Sequence, residues 1–378
     1  MNLSKTGKKI AILSPIFSAT GAHGGITPVV RNLAEDFAKR GLEVDLLFRP
    51  PHGSPPDIPH LPEGVKAIGL GARHRITTAV AVTRYLRNTG PDVLLSVGHR
   101  FNVAAITAKL LLPKTRIYLM VQNTMSLEAS KKGPVHHWKR LQAISLLYGR
   151  ADGIITASKG VAEDLIETTR VKPARVTTIY NPIVTPALVT QSTEPVDHAW
   201  FAPGQVPVIL GVGRLAAQKA FPILIKAFAE VRKKHASKLL ILGEGPERQE
   251  LEDLIRSLGI DQDVSLPGFE GNPVKYMSKA SVFVLSSDYE GFGNVVVEAL
   301  AAGTPVVSTD CMSGPGEILD RGRYGRLVPV GDWHALGEAI TETLQNPPAP
   351  SLLDAAVKRF EIDTIASQYL KFLGLYDQ

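Results

Sequence analysis

Residues 288–299 read DYEGFGNVVVEA and lie between two short apolar segments, residues 281–286 and 304–308. Both segments have the length and composition of buried strands, and the apolar run after the glycines predicts the start of a helix. A strand that leads through a glycine-containing turn into a helix forms an anion site, because backbone N–H groups and the helix dipole point the same way. The stretch therefore predicts an α/β unit that binds a phosphate.

Two glutamates, Glu290 and Glu298, flank this turn with seven residues between them. A carboxylate beside a phosphate site repels the phosphate, but it can accept hydrogen bonds from sugar hydroxyls. Two carboxylates around a phosphate site therefore indicate a phosphate with sugars on either side, as in a nucleotide sugar. The alternative is that Glu290 is a surface residue and Glu298 caps a helix, with no ligand at either.

Apolar strands and amphipathic helices alternate through the rest of the chain. Strands are predicted in the first half at 9–14, 43–48, 92–97, 116–121 and 153–156, and in the second half at 208–211, 239–242, 263–266, 281–286 and 305–308. Strands separated by helices form parallel sheets with right-handed crossovers, and ligands bind at the carboxyl ends of such strands. The chain is therefore predicted to be an α/β protein with two doubly wound, Rossmann-like parallel-sheet domains that face a cleft.

Residues 186–206 hold several prolines and little periodicity, which predicts a linker. It would separate an N-terminal domain, residues 1–185, from a C-terminal domain, residues 207–360. Residues 361–378 are amphipathic and predict a final helix.

The net charge of +6 is divided unevenly, because residues 1–190 hold 25 Lys/Arg and 12 Asp/Glu whereas residues 191–378 hold 17 and 24. The basic residues of the first half are scattered, and no set of base-stacking aromatic residues accompanies them, so a nucleic-acid site is not predicted. An anionic membrane surface or a phosphate-bearing acceptor is the better expectation. An ordinary solvated surface is the alternative.

Cys311 is the single cysteine of the sequence, which excludes an internal disulfide and fits a reducing compartment. No apolar run approaches the ~20 residues of a membrane-spanning helix, and the N-terminus is polar rather than a signal peptide. The expected location is the cytoplasm or, with peripheral attachment, the cytosolic face of the inner membrane.

Two loops of the first half carry candidate residues. Gly24 and Gly25 open the first helix, where glycines let the backbone approach a ligand closely, but they do not form a G-x-G-x-x-G pattern and a plain turn is the alternative. His99 follows a buried strand at the start of a loop, which is where α/β proteins carry their catalytic and binding side chains. Its alternative is a loop histidine with a structural hydrogen bond.

In the second half, a strand ends at Gly213, and Arg214 and Lys219 follow near a helix start. Two fixed cations there suit a diphosphate leaving group, because they neutralise the charge that develops as the sugar–phosphate bond breaks. A surface pair is the alternative. Residues 261–263 read DQD, a metal-binding pattern, but they follow a helix end and lead into a strand, so they are predicted to form a turn, and no metal site is expected.

Several motifs resemble, in the same order, those of retaining glycosyltransferases of the GT-B fold, family 4. They are GR-x4-K at 213–219, GEGP at 243–246, EGFGN at 290–294, EALAAGTPVV at 298–307 and GPGEIL at 314–319. The resemblance covers nearly the whole second half, and in the first half it rests on the glycine loop, the His99 loop and the rhythm of strands. It implies that the first domain binds the acceptor, that the second binds the donor, and that the final helix, residues 361–378, crosses back to the first domain.

The resemblance also implies a role for each candidate residue. Glu298 would hold the ribose hydroxyls, Glu290 would contact the donor sugar, and His99 would lie near the reacting carbon. Arg214 and Lys219 would stabilise the departing diphosphate. The other residues expected to contact the nucleotide sugar, through backbone groups or at the base, are Gly24, Gly25, Gly213, Gly268, Phe269, Gly291, Phe292, Gly293, Asn294 and Val295.

The implied activity is a retaining, metal-independent transfer of a hexose or N-acetylhexosamine from a nucleotide diphosphate sugar to a glycan or lipid-linked acceptor. UDP is favoured over GDP, because residues 308–318 resemble bacterial members that build surface polysaccharides or lipid-linked oligosaccharides. No cofactor is expected beyond this co-substrate. Attack on the face that the leaving group vacates is favoured, and a covalent intermediate stays open. Two other functions stay open: a nucleotide-sugar 2-epimerase of the same fold and a non-catalytic nucleotide-sugar-binding protein.

Overall fold

The chain forms two compact units in a computed structural model, which describes residues 7–15, 25–49, 61–72, 74–126 and 144–376. The first unit comprises Met1–Pro182 and Ile362–Gln378, and the second comprises Ile183–Glu361. Each unit is built around a parallel β-sheet, so the predicted α/β class with two parallel sheets is confirmed.

The strands of the first unit are β1 (Lys9–Leu13), β2 (Glu43–Phe48), β3 (Val65–Gly69), β4 (Val93–Val97), β5 (Ile117–Val121), β6 (Gly153–Thr156) and β7 (Val176–Thr178). They form a seven-stranded sheet in the order β3-β2-β1-β4-β5-β6-β7. β4 and β5 are buried along their whole length, as expected for parallel strands that are covered on both faces. The strand order reverses direction between β1 and β4, which is where ligands bind in such sheets.

In the described part of the first unit, the helices before residue 183 are α1 (Ile26–Lys39), α2 (Arg75–Thr89), α3 (His99–Leu111) and α4 (Lys159–Thr168). α2 and α3 pack side by side. Their buried side chains join those of the sheet in one apolar core, which includes Val82, Leu86, Ala105 and Ile106. Each of these two helices is therefore held in position by the apolar face that it buries.

The second unit has six parallel strands: β8 (Val208–Val212), β9 (Lys238–Leu242), β10 (Val264–Gly268), β11 (Val282–Leu285), β12 (Val306–Thr309) and β13 (Arg326–Val328). Their order is β10-β9-β8-β11-β12-β13. Its helices are α5 (Pro186–Ser192), α6 (Phe221–Lys234), α7 (Arg248–Ser257), α8 (Pro273–Met277), α9 (Asn294–Ala301), α10 (Pro315–Ile318), α11 (Trp333–Gln345) and α12 (Pro350–Val357). β8 and β11 are neighbours at the switch in strand order, so the loops after them meet at the expected ligand edge.

The final helix, α13 (Ile362–Leu373), belongs to the first unit. Arg40, directly after α1, donates hydrogen bonds to the Asp363 carboxylate at 3.0 Å and to the Ser367 hydroxyl at 3.0 Å. Arg116 donates to the carbonyl of Leu373 near the other end of the helix. α13 is thus held to the first unit by polar contacts at both ends and by its buried apolar face.

Residues 186–206 begin inside the second unit, which starts at Ile183. Helix α5 packs against α8. Ser278 donates to the Ser192 carbonyl at 2.7 Å, and Asn272 donates to the Gln191 carbonyl at 3.0 Å. The proline-containing segment therefore includes a helix that packs on the second unit through α8 and its flanking residues.

Three strands were not expected from the sequence: β3, β7 and β13. Each lies at an end of its sheet and is partly exposed. Such strands lack the continuous apolar run that marks the central ones, which explains why the pattern does not reveal them.

Across the described ranges, no helix combines the length and the apolar character needed to cross a bilayer.

Candidate active site

Glu290 lies in the loop between β11 and α9, and its carboxylate is buried. The Lys219 ammonium is 2.6 Å from its Oε1, and the Ser287 hydroxyl donates to the same oxygen at 2.7 Å. The ion pair is largely shielded from water, since both side chains are mostly covered. Two residues that the sequence assigned to separate motifs are therefore joined into one charged group.

A set of hydrogen bonds fixes Lys219 against this loop. Lys219 ends a short 3-10 turn after β8, and Ser286 donates from its hydroxyl to the Lys219 carbonyl at 2.8 Å. Gln218 donates to the Tyr289 carbonyl at 2.9 Å, and the Asp288 N–H donates to the Gln218 carbonyl at 2.9 Å. The loops after β8 and β11 thus hold each other, so the lysine is positioned before any ligand binds.

Arg214 occupies the same loop after β8, but its side chain is exposed. It makes no side-chain hydrogen bond or ion pair with any residue of the ranges that the structure covers. The backbone before Arg214 packs tightly against Gly243, which has a φ of +147°. A Cβ on Gly243 would lie 1.9 Å from the Gly213 carbonyl oxygen. Arg214 therefore presents an uncompensated cation in the loop that also carries Lys219.

The helix start at α9 has the geometry that the sequence predicted. Gly293 precedes Asn294 with a φ of +96° and offers no side chain to cap the first turn, which also lacks acidic residues. Gly314 packs against the same loop, since a Cβ at that position would lie 1.8 Å from the Phe292 carbonyl oxygen. The positive end of the helix dipole, around Asn294 and Val295, can therefore face an anion.

Glu298 lies further along α9 and is half-buried. Loss of water contact raises the pKa of its carboxyl to about 7, while the charge of Lys219 acts in the opposite direction. A carboxyl with this pKa can donate or accept a hydrogen bond near neutral pH, which suits contact with a pair of hydroxyls.

Cys311 lies beside this group, although the sequence offered no role for it. The thiol is buried, and burial together with the charge of Glu290 raises its pKa to about 12, so it stays neutral. Ser287 was also not predicted from the sequence, and the available signal is its place two residues after the buried strand β11. Its hydroxyl is a hydrogen-bond partner of Glu290.

Gly268 is the last residue of β10, an outer strand of the second sheet, and Phe269 follows it. Gly268, with a φ of +104°, accepts a hydrogen bond from the Gly243 N–H at 2.8 Å. The Phe269 side chain is 57% exposed. An exposed ring at the ligand edge can stack on a planar base.

Asp263, from the D-x-D pattern, forms ion pairs with Lys238 at 2.8 Å and with Arg232. These cations, Lys238 first, hold the pKa of its carboxyl below the usual range. Within the described part of the chain, no cluster of three or more His, Cys, Asp or Glu residues has the arrangement of a metal site.

In the first unit, His99 is the first residue of α3 rather than part of a loop, because Gly98 turns the chain with a φ of +86°. Its Nδ1 lies 3.1 Å from the hydroxyl of Tyr148, which is fully buried. Asn102 donates from Nδ2 to the same hydroxyl at 3.2 Å and to the Met120 carbonyl at 3.1 Å. One edge of the imidazole is therefore anchored in the core.

Gly25 directly precedes α1 with a φ of −64°, a conformation open to any residue, and Gly24 lies outside the described residues.

Two family models match the chain: Glycosyltransferase Family 4 over residues 23–185, and Glycosyl transferases group 1 over residues 194–360. The chain is 33% identical over 299 residues to the N-acetylgalactosamine-N,N'-diacetylbacillosaminyl-diphospho-undecaprenol 4-alpha-N-acetylgalactosaminyltransferase of Campylobacter jejuni, which covers 78% of this chain and 80% of that protein. It is 28% identical to the lipopolysaccharide core biosynthesis glycosyltransferase LpsE of Rhizobium meliloti, over 94% of this chain and 97% of that one.

Among solved structures, Anabaena HepE in complex with UDP and glucose matches with a TM-score of 0.76 at 20% identity, over 98% of this chain and 100% of that one. At this identity the match shows a shared fold, that of two parallel-sheet α/β domains.

Proposed function

The chain belongs to the group 1 glycosyl transferases, of the GT-B family 4 type, and we propose that it is a retaining enzyme of cell-envelope glycan synthesis. It would transfer a hexose or N-acetylhexosamine from a nucleotide diphosphate sugar to a lipid-linked or glycan acceptor. The names of its relatives support this: one acts on a diphospho-undecaprenol-linked sugar, and another acts in lipopolysaccharide core biosynthesis.

The observation that carries the proposal is the Lys219–Glu290 ion pair between the loops after β8 and β11, with the exposed Arg214 in the same loop as Lys219. A nucleotide diphosphate sugar presents two phosphates beside a sugar that is rich in hydroxyls. The two cations and the helix start supply positive potential for the phosphates. Glu290 supplies an acceptor for the sugar hydroxyls, 2.6 Å from the lysine that faces the diphosphate.

Departure of the diphosphate is the step that these cations serve. Negative charge collects on the leaving phosphate oxygen as its bond to the anomeric carbon breaks. Arg214 and Lys219 would stabilise that charge, and Lys219 is held in place before the reaction begins. Two protein cations supply the charge that a metal ion supplies elsewhere, which is why we propose a metal-independent reaction.

The contacts of Glu290 support an orienting role rather than a nucleophilic one. Its Oε1 already accepts hydrogen bonds from Lys219 and Ser287, which withdraws electron density from that oxygen. We therefore favour attack by the acceptor oxygen on the face that the diphosphate leaves. The bond from the anomeric carbon to phosphate breaks, the bond to the acceptor oxygen forms, and the leaving phosphate oxygen takes the acceptor proton.

UDP is the proposed nucleotide. Glu298 would hold the two ribose hydroxyls, and the exposed ring of Phe269 would contact the base. The resemblance of residues 308–318 to bacterial members of the family supports UDP, and HepE, which shares the fold, has been solved with UDP.

The acceptor would bind to the first unit near His99. The contact of its Nδ1 with the buried Tyr148 hydroxyl fixes the direction of the ring. A histidine anchored in this way can hold a hydroxyl of the transferred sugar in a fixed direction.

The test is a transfer assay with purified protein, a panel of UDP-sugars and GDP-sugars, and an undecaprenyl-diphosphate-linked N-acetylhexosamine. The proposal predicts UDP release that requires the acceptor, and a glycolipid with the anomeric configuration of the donor by NMR. Isomerised donor without acceptor would identify an epimerase, and binding without turnover would identify a binding protein. An inverted product would contradict retention.

A further inference from the structure

Helix α2 carries two large apolar side chains on its outer face. Ile76 is 80% exposed and Val80 is 52% exposed. They are four residues apart, so they lie on the same side of the helix. The opposite side, with Ala79, Val82 and Leu86, already fills the core of the first unit. The outer pair is therefore unnecessary for packing of α2, although single exposed apolar residues are common and need a second observation.

The second observation is the charge around them. Arg84 and Arg87 are exposed and continue the outer face of α2 beyond Val80. α2 and α3 together hold five Lys/Arg and no Asp/Glu. Arg84, Arg87 and the exposed Arg100 of α3 make no ion pair with a carboxylate of the described residues. Ile76, Val80, Arg84 and Arg87 thus form an apolar and basic stripe, here called the α2 stripe.

The α2 stripe begins at a functional edge of the sheet. α2 follows β3, and α3 follows β4 and starts with His99. Because the strands are parallel and the two helices pack side by side, both helices start at the carboxyl edge. The apolar end of the stripe therefore lies at the same edge of the first unit as His99.

We propose that the α2 stripe docks on the surface of an anionic lipid bilayer. Ile76 and Val80 would enter the boundary between headgroups and acyl chains, and Arg84 and Arg87 would bind lipid phosphates. The inference rests on the proposed function, because a lipid-linked acceptor is held in such a surface. It goes further by naming the helix face that meets the bilayer and the residues that carry the contact.

The charge pattern favours a bilayer over a second copy of the chain. A two-fold dimer through this face would bring the arginines of both copies into one interface. α2 and α3 offer no acidic residue to offset that repulsion. An anionic bilayer satisfies the arginines and the apolar pair together.

Co-sedimentation with lipid vesicles tests the inference. Full-length protein is mixed with phosphatidylcholine vesicles that do or do not contain phosphatidylglycerol, at low and at high salt. The wild type is expected to sediment with the anionic vesicles only, and less so at high salt. Ile76→Gln/Val80→Gln and Arg84→Gln/Arg87→Gln should each weaken this binding by about tenfold or more.

The matched control is Leu110→Gln/Leu111→Gln at the end of α3. These leucines are 52% and 59% exposed, similar to Val80, but α3 carries them to the opposite edge of the sheet. This variant should bind vesicles as the wild type does. Three results would overturn the inference. The control could lose vesicle binding as the α2 variants do, both α2 variants could bind vesicles as the wild type does, or the wild type could fail to bind them. A dimer that Ile76→Gln/Val80→Gln disrupts would replace the bilayer with a second copy.

Activity separates this inference from the proposed function. With a water-soluble acceptor analogue, the α2 variants should transfer sugar at the wild-type rate. Sugar transfer by a wild-type protein that does not bind anionic vesicles would overturn the α2 stripe and leave the proposed function standing. Vesicle binding without transfer to any acceptor would contradict the proposed function instead.

Discussion

The ammonium of Lys219 lies 2.6 Å from the buried carboxylate of Glu290, although 71 positions separate the two residues in the chain. The contact joins the loop after β8 to the loop after β11. It neutralises a carboxylate that would otherwise repel the diphosphate of a donor, and it holds the lysine in place.

Removing one partner of this ion pair should lower the stability of the fold more than replacing both partners. Lys219→Met leaves a buried carboxylate without its cation and should lower the free energy of unfolding by about 3 kcal/mol. The double variant Lys219→Met/Glu290→Gln should be more stable than the sum of the single changes predicts, with a coupling of about 1–3 kcal/mol. Urea unfolding at neutral pH gives the free energy of unfolding of the wild type, both single variants and the double variant. If the effects of the single changes simply add, the pair is not coupled.

Glu290→Gln should reduce kcat about a hundredfold, because the amide cannot hold the donor sugar hydroxyls as the carboxylate does. Steady-state kinetics with the active donor checks this. The control is Glu338→Gln, an exposed position on α11 that should retain the wild-type rate. A kcat for Glu290→Gln close to wild type would remove Glu290 from the site.

The raised pKa of Glu298 predicts a pH dependence of stability. Its pKa is about 7 in the folded chain, against an ordinary value of 4.5, so the folded state binds the proton more tightly. Stability should therefore fall as pH rises from about 4.5 to 7, because ionisation of the folded carboxyl is unfavourable. Glu298→Gln removes this dependence, and its stability relative to wild type should increase by up to about 3 kcal/mol between pH 5 and pH 8. A difference that does not change with pH would contradict the assignment.

Gly243→Ala should destabilise the second unit by about 3 kcal/mol or more. The new Cβ would lie 1.9 Å from the Gly213 carbonyl oxygen, and the φ of +147° disfavours any side chain. Gly271→Ala is the matched control, because a Cβ there meets no atom within 4 Å. Chemical unfolding of both variants measures the difference, and equal stability would argue against this packing beside Arg214.

The sequence identified the elements of the site better than its contacts. The glycine turn before α9 and the position of Glu298 on that helix could be predicted, because local patterns encode a turn followed by a helix. The pairing of Lys219 with Glu290 could not, because it depends on β8 and β11 being neighbours in the sheet. The same limit hid Ser287, whose partner is set by the loop fold.

His99 shows a similar division. Its place after a buried strand could be predicted from the sequence. That α3 begins at His99 could not, because this depends on the turn that the chain makes at Gly98. Its anchoring by Tyr148 joins residues 49 positions apart, which no local pattern reveals. The edge strands β3, β7 and β13 were missed because partial exposure removes the apolar run.

Calorimetric titration of UDP into the wild type, Arg214→Ala and Lys279→Ala tests the central claim most directly. Arg214 is exposed and pairs with none of the described residues, so its loss should weaken UDP binding about tenfold to a hundredfold without lowering the melting temperature. Lys279 is an exposed lysine elsewhere in the second unit, and its variant should bind UDP as the wild type does. Failure of the wild type to bind UDP or GDP, or unchanged binding by Arg214→Ala, would contradict a nucleotide-diphosphate site at this end of the second sheet.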